Sequence, residues 1–288
     1  MDQTESKATG TRVLRYVICI ILCFLSIIPF YILLINSTLK SSDILTGIKL
    51  VPGSQFITNF KGLLEGGAKT SGVNVLQAML NSLIITVPAT ALQIYFGSLT
   101  AYAVTVYNFK AKNFAWGFIY AIMMIPQQVS IVGFIKICNL THIYGSYLAM
   151  IIPAIAAPTT VYFMKQYMET GLSVEIVEAA RIDGCSEARI FFQMVLPMSR
   201  SIVVYTVISS FLVPWMDFVY AKMILNAGIS SKYTVAIGLY KMLDKSLINS
   251  YFTQFCAGGV LVSIPISILF MIMQKFYVEG ITGGAVKG

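Results

Sequence analysis

Apolar and polar positions along this chain fall into long blocks. Six stretches run with almost no charge, near Tyr16–Ile35, Ser82–Val106, Phe114–Ile135, Tyr144–Phe163, Ile202–Ile224 and Phe255–Phe276. Each approaches the roughly 20 residues that carry an α-helix across a hydrocarbon core of about 30 Å. Lipid offers the backbone no hydrogen-bond partners, so the pattern predicts six transmembrane helices and an all-α integral membrane fold. Lys7, Arg12 and Arg15 precede the first stretch in the manner of a secretory signal. Its apolar run is too long for that and no small-residue cleavage pattern follows it, so an uncleaved anchor is expected. The connections leave room for one membrane domain, 1–288. Its parts are an N-terminus (1–15), a long loop (36–81), a polar insert between spans four and five (165–200) and a tail (277–288).

The insert breaks the pattern most sharply. Residues 178–197 read EAARIDGCSEARIFFQMVLP, with two Glu, one Asp and two Arg in the first twelve positions. Ser173 is placed to cap a helix with Glu175 in its first turn, where a carboxylate suits the helix dipole. Val174, Val177 and Ala180–Arg181 follow at helical spacing, leaving Glu175, Glu178 and Asp183 on a more polar face. Gly184 can adopt the left-handed conformation that ends a helix. Ser186 can cap a second helix, with Glu187 in its first turn and Ile190, Phe191, Met194 and Val195 as its apolar stripe; Pro197 closes it. The product is a compact two-helix knob. On spacing alone, such a knob serves equally as an interfacial hairpin with no partner.

Composition agrees with the membrane reading: 57% of residues are hydrophobic and 11% charged, with a mean hydropathy of +0.78, against about 25% charged in soluble domains. The net charge of +8 is scattered between loops without the basic stripe and interleaved aromatics of a nucleic-acid surface. Lys and Arg favour the cytoplasmic side. With both termini inside, inner segments hold eleven of the twenty and outer segments nine. The local clusters at Lys7, Arg12 and Arg15 and at Lys110 and Lys112 tip the choice, which makes the insert cytoplasmic and 36–81 extracytoplasmic. The five cysteines show no metal-ligand or redox spacing, and no metal site is expected.

The order Glu178-Ala179-Ala180, then Gly184, Met194 and Leu196-Pro197, resembles the E-A-A-x3-G-x9-I-x-L-P motif of bacterial ABC import permeases, with Met194 in place of Ile. Asn81-Ser82, Ala101-Tyr102-Ala103, Trp215-Met216-Asp217-Phe218 and the ending Gly280-Ile281-Thr282-Gly283-Gly284-Ala285-Val286-Lys287-Gly288 are similar to segments of carbohydrate permeases, the last to MalG-like subunits. The resemblance implies the type I importer permease fold with a cytoplasmic coupling loop between spans four and five. It implies a permease subunit of an ATP-driven, binding-protein-dependent importer of a sugar or oligosaccharide in a bacterial inner or plasma membrane. The implied partners are a second, MalF-like permease, two ATPase subunits that bind ATP and Mg, and an extracytoplasmic solute-binding protein.

By the same resemblance, Glu178, Ala179, Ala180, Gly184, Met194, Leu196 and Pro197 couple to the ATPase, with Gly184 allowing close helix approach. Gly284, Ala285, Val286, Lys287 and Gly288 would reach between the ATPase subunits. The chain is then no enzyme and carries no cofactor; Gly62-x4-Gly67-Ala68-Lys69-Thr70 has one residue too many before Lys for a phosphate-binding loop. Polar residues within the spans, Gln93, Gln127, Gln128, Thr159, Ser210, Asp217 and Ser263, suit either interhelical hydrogen bonds or a translocation path or gate. Tyr95, Tyr120, Tyr162, Trp215 and Phe218 suit sugar rings or the membrane interface, and the interface is expected for Trp215. The rival is an ion-driven secondary transporter or channel, which predicts inverted repeats and broken, charged helices at the midplane. No such repeat is evident.

Overall fold

The computed structural model describes residues 2–44, 47–66, 74–225, 230–243 and 248–285, with side chains over 12–44, 47–65, 74–225, 231–243 and 251–276. These residues form helices and connecting segments without a strand. Four helices are long and apolar enough to cross a membrane, Arg12–Ser37, Val75–Val106, Leu148–Gly171 and Tyr251–Phe276. Two further bent pairs bring the number to six if each pair is one span.

The expected third span is one of these pairs. Lys112–Met123 and Gln127–Leu140 meet at 100°, because Pro126 lacks an amide hydrogen and adopts an extended backbone (φ −61°, ψ 126°). The expected fifth span is a helix of 17 residues, Arg200–Met216. It breaks at Asp217-Phe218 before the short helix Val219–Ile224. Leu148–Gly171 contains a 3₁₀ turn, Ile152–Ile155, and leaves α geometry at Ala157, whose conformation is restricted by Pro158. It runs on to Gly171, so residues 165–171 continue a spanning helix instead of opening the insert. The second spanning helix starts at Val75, before Asn81-Ser82.

The chain divides into two compact units, Met1–Val75 with Leu239–Ser263, and Leu76–Gly238 with Ile264–Gly288. In the first unit, the segment after the first helix is ordered by buried polar contacts. Asn59 Nδ2 donates to the carbonyls of Ser37 and Leu39, both at 2.8 Å, and Thr253 donates to Asn59 Oδ1 at 3.2 Å. The first of these bonds satisfies a carbonyl at the helix end, which has no intrahelical partner. Gly62, the first residue of the apparent phosphate-loop pattern, opens a π-helical turn, Gly62–Gly66; Gly67, Ala68, Lys69 and Thr70 lie outside the described residues.

In the second unit, Val75–Val106 and Pro158–Gly171 pack closely. A Cβ on Gly97 would lie 2.7 Å from Thr160 Cγ2, and Gln93 Nε2 donates to Thr160 Oγ1 at 2.9 Å. The segment between spans five and six is tied to this unit by Asn81. Its Nδ2 donates to the carbonyls of Ser231 and Tyr233 at 2.8 and 2.9 Å, and Ser82 Oγ accepts from Val235 N at 2.9 Å. In the same segment, Lys232 donates to the Gly145 carbonyl at 2.7 Å.

Candidate functional site

The polar insert forms a hairpin of two helical segments, Val174–Ile182 and Glu187–Met198. The first ends in a Schellman arrangement: Gly184 N donates to the Arg181 carbonyl and Cys185 N to the Ala180 carbonyl, both at 3.0 Å. Gly184 has φ +79°, and a Cβ there would meet nothing within 4 Å. The glycine therefore supplies the left-handed turn; close approach of the two helices, expected from the resemblance, is not what requires it. Ser186 caps the second segment by accepting from Arg189 N at 3.3 Å. Ser173 begins the first with an extended backbone, but its hydroxyl donates to the Glu175 carboxylate and caps no amide. That bond holds Glu175 below the usual carboxylate range.

One face of the hairpin is buried. Val177, Ala180, Ile190, Phe191 and Val195 join Ala101 and Tyr102 from the second span and Val161, Met164 and Met168 from the fourth in one apolar cluster. Full burial of each large apolar side chain stabilises this packing by ~1.5–3 kcal/mol. Met194 and Leu196 pack at its edge. The opposite face is open: Glu178, Ala179, Pro197 and Gly184 are exposed, and Ile182 is 87% exposed. Of the seven residues carried over from the motif, the structure places Ala180, Met194 and Leu196 against the cluster and the other four outward. A largely exposed isoleucine beside them is a feature the sequence reading overlooked, although its offset from Val177 and Ala180 already put it off their face.

A second omission is polar. Glu187 accepts from Arg181 Nε at 2.6 Å and Nη2 at 3.3 Å, across the glycine bend. It also accepts from Tyr102 Oη at 2.9 Å and Tyr107 Oη at 2.5 Å, at the end of the second span. The Arg181 guanidinium lies 5.1 Å from the centroid of the Tyr107 ring. Bonding to Arg181, against some loss of hydration, holds the Glu187 carboxyl down at about 2. Nothing local in the sequence signals this joint, since Tyr102 and Glu187 are 85 positions apart. Lys165, buried beneath the hairpin's end of the fourth span, pairs with Glu169 and lies 4.2 Å over Trp116.

The polar residues within the spans separate into two groups. Gln127, Gln128 and Asp217 line one cavity of about 470 Å³ together with Ile131, Leu212 and Tyr220. Asp217 Oδ1 also accepts from Tyr220 N at 3.1 Å, capping the short helix beyond the break. Gln93 instead bonds across helices to Thr160. Ser210 is buried and Thr159 exposed, neither lining the cavity. Ser263, in the first unit, donates to the Val260 carbonyl one turn back at 2.7 Å. Trp215, expected at the interface, is instead fully buried and stacked on Phe211 at 5.6 Å. Tyr162 stacks on Trp116 at 6.0 Å, while Tyr220, absent from the candidate aromatics, reaches the cavity. Of the tail, Gly284 and Ala285 continue the last helix; Val286, Lys287 and Gly288 lie outside the described residues. Among the described residues no group of His, Cys, Asp and Glu is arranged to hold a metal.

Known proteins are similar to this chain over nearly its whole length. Residues 93–283 match the family model of the binding-protein-dependent transport system inner membrane component. The chain is similar to the arabinooligosaccharides transport system permease protein AraQ of Bacillus subtilis, with 30% identity over 93% of this chain and 92% of that one. It is equally similar to the galactooligosaccharides transport system permease protein GanQ of Bacillus subtilis, at 30% identity over 93% and 94%. The sn-glycerol-3-phosphate transport system permease protein UgpE of Yersinia pestis is 26% identical over 94% and 96%. In fold, the chain is similar to a chain of a bacterial ABC transporter involved in the import of the acidic polysaccharide alginate. That match has a TM-score of 0.76 at 16% identity and covers 96% of this chain and 99% of the other. With an apolar six-block pattern, a hairpin between its fourth and fifth blocks and a family match over 93–283, the chain belongs to the inner membrane components of binding-protein-dependent transport systems, the permease subunits of ABC importers.

Proposed function

We propose that this permease serves an ATP-driven importer of a sugar or oligosaccharide, and that its hairpin is the surface an ATPase subunit holds. The observation that carries the reading is the division of the hairpin into two faces. One face is buried against the ends of two spanning helices; the other presents Glu178, Ala179 and Ile182 to solvent. An apolar side chain as exposed as Ile182, at 87% the most exposed of the hairpin's large apolar residues, is suited to enter a cleft in a partner, where its burial contributes to affinity. Supporting the substrate class are the relatives named for arabinooligosaccharides and galactooligosaccharides. The cavity adds two amides, a carboxylate and a tyrosine ring among apolar walls, groups that suit a solute with hydroxyl rims and apolar faces.

In this reading the chain has no ATPase site. ATP and Mg are bound by two separate ATPase subunits, a MalF-like permease completes the path, and an extracytoplasmic binding protein delivers the solute. Both termini and the hairpin are cytoplasmic. ATP acts through its different affinities for two states of the assembly. Replacing Ile182 with Glu is expected to weaken recovery of the ATPase with the tagged permease by tenfold or more, the equivalent of at least ~1.4 kcal/mol. Membrane insertion should be unchanged. Undiminished recovery, with uptake of arabino- or galacto-oligosaccharide intact, would sink the docking reading.

A further inference from the structure

We infer that Glu187 is a positioning residue that fastens the coupling hairpin to the end of the second span, so that movement imposed on the hairpin is passed to that helix. The inference rests on the reading that an ATPase holds the hairpin. Three separate pieces of chain meet at this one carboxylate. Arg181 belongs to the first hairpin helix, Glu187 opens the second, and Tyr102 and Tyr107 stand at the end of Val75–Val106. Arg181 binds both oxygens of Glu187, and both tyrosines converge on Oε2.

Geometry distinguishes this joint from the packing around it. The apolar cluster beneath the hairpin resists separation, but apolar contact is not directional and permits sliding. Charge-assisted hydrogen bonds fix distance and angle. Tyr102 takes part in both systems: its ring packs 5.6 Å from Phe191 and its hydroxyl donates to Glu187. The Tyr107 ring stands edge-on to Tyr102 at 5.7 Å and carries the Arg181 guanidinium on its other contacts. A displacement of Val174–Ile182 that kept these bonds must carry the end of the second span with it. Without them, the hairpin could follow the ATPase while the span lagged.

The test uses the intact transporter, purified with its ATPase and second permease and reconstituted into vesicles with the binding protein. The variant Tyr102→Phe with Tyr107→Phe removes two hydroxyls and keeps both rings. It is expected to co-purify with the ATPase and hydrolyse ATP at nearly the normal rate, while uptake per ATP hydrolysed falls roughly tenfold. Glu187→Ala should do the same. Arg181→Glu alone should uncouple, and combining it with Glu187→Arg should restore part of the ratio, a recovery that a loss of folding would not give. An unchanged uptake-to-ATP ratio in the double tyrosine variant overturns the inference. So does loss of ATPase association in that variant, which would place the tyrosines in docking instead. If the wild-type permease brings down no ATPase, the underlying importer reading fails, and this inference with it.

Discussion

At the scale of single residues, charge placement matters more than charge number. Glu178 and Glu187 belong to the same hairpin and differ in what surrounds them: Glu178 faces outward, whereas Glu187 is bound by a guanidinium and two phenols. Its carboxyl is held at about 2 against an ordinary value of 4.5. A carboxyl whose pKa is lower when folded adds stability that is present above its unfolded value and lost as pH falls through the folded one. The contribution should therefore be constant above about pH 4.5 and disappear between there and about pH 2. Because Glu187 is partly exposed, solvent screens much of it. The difference in thermal midpoint between wild type and Glu187→Gln in detergent should thus hold steady from neutral pH to about 5 and then close. A gap that stays open at the acid limit would assign the effect to packing. For transport the same shift means that the joint stays ionised throughout the physiological range and is no pH switch.

Helices and their breaks show what the sequence could and could not supply. Six apolar blocks were legible because the hydrocarbon thickness fixes their length, and the hairpin because Gly184 and Ser186 punctuate it locally. The joints between distant segments were not. In the sequence Asn81-Ser82 is only a segment similar to carbohydrate permeases, yet their partners are the carbonyls of Ser231 and Tyr233 and the amide of Val235, some 150 positions on. Likewise Pro126 lies inside the third apolar block, but only the structure gives a turn of 100° in place of a straight span. The break at Asp217 was hidden inside an apolar run, and it brings that carboxylate to the same cavity as Gln127 and Gln128. Asn81 yields a sharp test at this scale. Asn81→Ala strips the buried Tyr233 carbonyl and the part-buried Ser231 carbonyl of their donor and should cost ~1–3 kcal/mol. Asn81→Asp should cost more, since a carboxylate would face both carbonyl oxygens without a proton to offer. Thermal unfolding in detergent that ranks Asp above Ala in stability would show that those carbonyls find other donors.

For the whole molecule the open question is direction across the membrane. Over the full sequence the count of Lys and Arg barely decides it, at eleven to nine. Within the second unit the structure sorts the cations by end. Lys110, Lys112, Lys165, Arg181, Arg189, Arg200 and Lys275 lie at the hairpin end, where Lys112 donates to the Thr105 carbonyl and Arg200 stands over Phe276 next to Lys275. Lys136, Lys222 and Lys232 lie at the other, where Lys232 bonds to Gly145. Seven against three agrees with the proposed cytoplasmic hairpin, because the rule counts cations near span ends and gives acids little weight. That proposed orientation would put Glu187 and the exposed Ile182 where ATP is available. Single cysteines test it directly in a chain whose five native cysteines are replaced. Thr141→Cys, on the exposed turn that ends Gln127–Leu140, should react with a membrane-impermeant maleimide in intact spheroplasts. Ser173→Cys, at the mouth of the hairpin, should react only after permeabilisation or in inverted vesicles. Reversal of the two patterns would put the hairpin outside, beyond reach of any cytoplasmic ATPase, and would take the coupling role of Glu187 with it.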